Sequence, residues 1–132
     1  SGNAVEIAGK DGTPVSFLWS YNNCFPIARI ENATIDEVCT ALEIESADEW
    51  TYDSVPDSDV RVRIGSLREL LPDARVTTYE YVSLHGVTAI TDPNGVTTRF
   101  DYDNYSRLTD SYYLDANARK VMLQKYVYHF GK

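Results

Sequence analysis

The stretch 96–115, VTTRFDYDNYSRLTDSYYLD, constrains the fold of this chain more than any other. It predicts two β-strands meeting at a tight turn. Tyr102-Asp103 ends the first strand and Arg107-Leu108 opens the second. Side chains alternate across a strand, so Thr98, Phe100 and Tyr102 share one face, while Thr97, Arg99, Asp101 and Asp103 share the other. A weaker copy built on Tyr79-Glu80-Tyr81 precedes it, and a third on Tyr126-Val127-Tyr128 follows. Eight of the ten tyrosines lie beyond position 78, so the aromatic load belongs to this strand-rich half.

Upstream the pattern differs. Residues 1–13 are polar and contain glycine, which predicts a loose terminus. Strand-forming residues at 15–21 and 26–31, with Asn22-Asn23 between them, predict a hairpin with Trp19 near its closed end. Thr34 followed three residues on by Glu37 is a capping box and opens a helix over 35–43. Ser46 and Glu49 repeat that spacing and predict a second short helix through Tyr52. Pro56-Asp57-Ser58-Asp59 is a break and an expected helix cap, and beyond it a helical stripe runs through Val60, Ile64, Leu67 and Leu71, which Pro72 stops. Val60, Val62 and Ile64 also alternate with Arg61 and Arg63, which fits a strand. From Ala74 the period becomes two. Strands are expected at 75–82, 86–91, 96–103, 107–114 and 119–130, with turns at Asp92-Pro93-Asn94-Gly95 and, more weakly, at Asp115-Ala116-Asn117-Ala118.

These elements make an α+β fold within one domain of 132 residues, 43% hydrophobic and rich enough in apolar residues to hold a core. An N-terminal β-hairpin and two or three short helices occupy 15–72. An antiparallel meander of hairpins packed against the helices occupies 74–130.

Charge narrows the partners. The formal net charge is −8 and the pI near 4.6, which opposes binding to nucleic acid or to an anionic membrane, because phosphate affinity comes from lysine and arginine. No apolar run approaches the roughly 20 residues of a membrane helix. No signal peptide is visible, and Ser1-Gly2 resembles a tag remnant on an excised fragment, so that absence says nothing about compartment. Cys39 lies on the apolar stripe of the first helix, where a buried thiol is expected, and Cys24 lies in a turn as a separate free thiol. Two cysteines make neither a disulfide scaffold nor a zinc site by themselves.

Phe100-Asp101-Tyr102-Asp103-Asn104-Tyr105-Ser106-Arg107-Leu108 resembles the YD repeat of Rhs-type proteins, roughly Tyr-x-Tyr-Asp-x-x-Gly-Arg-Leu. The preceding 87–98 resembles the segment that usually leads into that motif. Further likeness, through Phe17-Leu18-Trp19-Ser20-Tyr21, Pro26-Ile27-Ala28, Leu67-Arg68, Leu71-Pro72 and Thr77-Thr78-Tyr79, extends over nearly the whole chain after residue 14 and points to the C-terminal region of large Bacteroidetes-type proteins. Two departures stand out. Ser106 holds the family's glycine place, so any positive φ falls on it or on Asn104. No Asp-x-x-Gly-Arg-Leu follows Tyr128, which reads as a closing unit of the stack.

The resemblance implies a secreted or cell-surface protein whose repeats stack on one another. It also implies a non-enzymatic structural or interaction role, with upstream repeats of the parent chain as first partners. The alternative is a carbohydrate-binding or adhesion module, and a shell fragment of a toxin-delivery protein or an enzyme stands behind both. Exposed sheet edges would permit a dimer.

Individual candidates are few. Trp19, Trp50 and Tyr105 are the aromatics that could stack on a sugar ring, although core packing of both tryptophans is the plainer expectation. Asp101 and Asp103 suggest a calcium site, but the calcium-loop pattern fails at Ser106 and Tyr112, and a cross-strand pair with Arg107 explains them better. His85 and His129, the only histidines, have no cysteine or second histidine at ligand spacing. No nucleophile elbow, zinc-protease motif or phosphate loop occurs, so the sequence indicates no catalytic residue, metal or cofactor.

Overall fold

The computed structural model describes residues 4–82, 86–105, 107–114, 117 and 119–125. They fall into two compact units, Ser1–Thr78 and Tyr79–Lys132. Among the described residues there are eight strands, all paired antiparallel where their register is defined, and three helices.

The first unit contains β1 (Glu6–Ala8), β2 (Pro14–Ser20), β3 (Phe25–Glu31), α1 (Ile35–Leu42), α2 (Ser58–Gly65), α3 (Leu67–Leu70) and the start of β4 (Arg75–Val82). Its strands neighbour one another in chain order. The hairpin of β2 and β3 forms as expected, and Ile27 is an extra residue on β3 between the pairs Leu18↔Ala28 and Trp19↔Pro26. Pro26 is tolerated beside that bulge because a bulge relaxes the demand for a ladder N–H. The loose terminus expected over 1–13 is corrected in part: Ile7 pairs with Val15, and β1 is a short edge strand. Period two could not reveal it, since all three of its residues are exposed.

α1 and α2 start where the sequence placed their caps. The Thr34 hydroxyl accepts from Glu37 N–H, and Glu37 Oε1 accepts from Thr34 N–H. Asp57 caps α2 by accepting from Val60 N–H. The helix expected through 46–52 does not form. That segment is a run of turns, and it and the residue after it serve the β2–β3 connection instead: Asn23 N–H donates to Thr51 O and Asn22 N–H to Asp53 O. Tyr21, Asn22 and Asn23 all hold positive φ there, a geometry that asparagine bears better than most residues. The helical stripe through Leu71 is broken at Ser66 into α2 and α3, as suits a Gly65-Ser66 pair, and both pieces end before Pro72. The strand alternative at 60–64 is therefore excluded.

α1 packs on β2 and α3, and α2 packs on α3. Leu18, Ile30, Val38, Leu67 and Val76 are almost fully enclosed in this unit. Cys39 is half-buried, not buried, and both cysteines are free.

The second unit takes the rest of β4 with β5 (Gly86–Thr91), β6 (Thr97–Tyr102), β7 (Leu108–Leu114) and β8 (Lys120–Lys125), again in chain order. The Asp92 turn links β5 to β6 as expected, with Gly95 at φ 86°. Thr109 is an extra residue on β7 opposite the end of β6, and its hydroxyl donates to Asp101 O. Among the described residues of this unit only Ala89 and Ser111 are buried. Tyr126, Tyr128, His129, His85, Ser106 and most of the 115–118 turn lie outside the described residues.

Candidate functional site

The motif residues converge on the turn between β6 and β7. Asp103 organises it. Its Oδ1 accepts the backbone N–H of Tyr105 at 2.8 Å and of Arg107 at 3.0 Å. Its Oδ2 accepts Arg107 Nε at 3.0 Å and lies 3.0 Å from Nη2. The backbone closes the same loop, with Asp103 N–H donating to Arg107 O. Burial alone would raise the Asp103 carboxyl. The Arg107 and Tyr105 amides, and then the guanidinium, outweigh it and hold the carboxyl below the usual carboxylate range. The acid is thus spent inside its own turn.

Tyr102 does the corresponding work across strands. Its hydroxyl donates to Val87 O at 2.6 Å, and burial pushes the phenol above its ordinary value. Gly86 stands beside it at φ 108°, with the Tyr102 hydroxyl 3.8 Å from where a Cβ would sit. The Val87 acceptor was not legible in the sequence. Phe100 and Tyr102, with Val82, Thr88 and Asp101, line an open hollow of about 490 Å³. Leu108 pairs with Tyr102 and begins β7.

The acidic pair does not converge on a cation. Asp101 stands opposite Asp110, and Lys125 ion-pairs with Asp110 at 3.2 Å, which offsets the like charges. Among the described residues no group of three or more histidines, cysteines or acids is placed to hold a metal.

The three stacking candidates are dispersed. Trp19 is half-buried, 6.4 Å from Phe17, and its Nε1 donates to Ala4 O. Trp50 is buried with the Arg63 guanidinium 5.3 Å from its ring centre, and Arg63 also donates to Leu42 O at the end of α1. Only Tyr105, 72% exposed at the motif turn, presents most of its surface, and Arg107 sits 5.2 Å from its ring.

Comparison with known proteins agrees with this geometry. The RHS Repeat family model matches residues 83–118, roughly a quarter of the chain, centred on β5, β6 and β7. No curated protein and no solved structure matches. A tyrosine that fastens two strands, an aspartate that closes the next turn on its own arginine, and the family match on the same segment make residues 83–118 an RHS repeat of the YD/Rhs-repeat family.

Proposed function

We propose that this chain is a non-enzymatic structural and interaction segment of a repeat protein, displayed outside the cell or at its surface as RHS-repeat proteins typically are. The carrying observation is the part-exposed apolar face of the second unit's sheet, among the described residues. The cross-strand row Ile90, Thr98, Tyr113 and Val121, with Phe100 in the next row of the same face, stays half-exposed. A sheet with an apolar face needs a second layer, and in repeat architectures neighbouring units supply it. The first partners are therefore other repeats of the same protein, stacked on that face.

A tandem form carrying a second copy of 79–132 tests this. Hydroxyl-radical labelling of Phe100 and Tyr113 should fall, and the denaturation midpoint should rise. Unchanged labelling and an unchanged midpoint would refute the stacking role.

Adhesion to a cell-surface glycan is the second reading, favoured by one observation, the exposed Tyr105 ring. Its test is a glycan array with Tyr105→Ala as control. Silence across polysaccharides, or binding indifferent to the substitution, removes it.

A further inference from the structure

The turn between β5 and β6 holds the one asparagine of this chain that is followed by glycine, and both residues are exposed. Space around Gly95 is open, with no atom within 4 Å of a built Cβ. Glycine carries no side chain to hinder approach of its backbone nitrogen to the Asn94 side-chain carbon. What holds it is hydrogen bonding. Gly95 N–H donates to Asp92 O at 2.9 Å, and Asp92 Oδ1 accepts the N–H of Asn94 and of Val96, each at 2.9 Å. Asp92 N–H completes the clasp by donating to Val96 O.

We propose that Asn94 is a site of spontaneous deamidation and isoaspartate formation, and that Asp92 is the positioning residue that restrains it. The chemistry needs only water. The Gly95 backbone nitrogen loses its proton to solvent base and forms a bond to Asn94 Cγ. The side-chain nitrogen leaves as ammonia after taking up a proton, and a succinimide remains. Water then adds to one of its two carbonyls. Breaking the bond from Cγ to the Gly95 nitrogen yields aspartate. Breaking the bond from the backbone carbonyl carbon to that nitrogen yields isoaspartate. Either product adds a negative charge two residues from Asp92, and isoaspartate adds a carbon to the backbone path of the turn. That path joins Thr91 to Thr97, whose hydroxyls lie 2.8 Å apart. An altered turn no longer matches that register, so the modification loosens the β5–β6 hairpin irreversibly.

The test follows the full chain in warm, mildly alkaline buffer by peptide mass mapping and isoaspartyl detection. A synthetic peptide spanning 90–98 gives the unrestrained rate. The Asn94 peptide of the intact chain should acquire acid and isoaspartyl forms more slowly than the synthetic peptide and ahead of the other asparagines. Asp92→Ala should speed the reaction about tenfold, as losing two hydrogen bonds of ordinary worth allows. Asp92→Asn keeps an acceptor oxygen and should stay close to the parent rate. Hydrogen exchange at the backbone amide of position 92, which donates to Val96 O across the turn, reports whether each variant retains the hairpin. Equal rates in the intact chain and the synthetic peptide would overturn the proposal. So would an Asp92→Ala rate equal to the parent's, or modification led by another asparagine.

Discussion

The hydroxyl of Tyr102 reaches the carbonyl oxygen of Val87 at 2.6 Å, so the last residue of β6 is fastened to the second residue of β5. Fifteen positions apart in sequence, the two are joined by a side chain in addition to the ladder. Tyrosine, and not phenylalanine, is required for this contact. Tyr102→Phe should cost about 1 kcal/mol, the usual net worth of such a bond. Urea denaturation followed by hydrogen exchange at β5 amides measures it, and an unchanged midpoint would show the bond to be dispensable.

Asp103 gives a pH signature. Its carboxyl titrates lower in the folded chain than in the unfolded one. The unfolded state therefore takes up the proton first as pH falls. Stability from Asp103 is complete above the unfolded value of about 3.9, and it is lost as pH drops through the lower folded value. Asp11 is lowered as well, through its bonds with Thr13, so the informative quantity is a difference. Asp103→Asn should reduce stability at neutral pH and converge with the parent in strong acid. A constant gap between the two across that range would contradict the assignment.

In the first unit the capping box of α1 is the clearest local device. Thr34→Ala removes the side-chain acceptor for Glu37 N–H and should destabilise by about 1 kcal/mol. Earlier hydrogen exchange of the Glu37 amide would localise the loss to the first turn of α1.

Leu67 and Leu70 are three residues apart on α3 but have opposite fates. Leu67 is fully buried and Leu70 is 51% exposed. Leu67→Ala should cost about 2–5 kcal/mol by lost transfer energy and cavity formation. Leu70→Ala should stay within about 0.5 kcal/mol of the parent, as exposed substitutions do. Equal effects in thermal unfolding would mean that the α1–α3 packing has been misassigned.

Local chemistry made much of this protein legible. The alternation after Ala74 located β4 to β8 to within a residue or two over the described range, because period two and the Asp92-Pro93-Asn94-Gly95 turn act over a few positions. Thr34 with Glu37, and Asp57, marked their helix starts for the same reason. The motif residues Asp103 and Arg107 could be paired in advance, being four apart across one turn.

Tertiary structure decided whatever depends on partners distant in sequence. Turns, not a helix, occupy 46–52 because Asn22 and Asn23 need the carbonyls of Asp53 and Thr51, and a local capping pattern carries no trace of that demand. Trp50 is buried beneath Arg63 while Tyr105 stands in solvent, although composition ranks both as large aromatics. The contrast between a first unit with a closed core and a second with a half-open sheet has the same origin. Within the first unit α1 reaches the sheet at β2 because the chain returns to it, and that return is a property of three-dimensional path, not of periodicity.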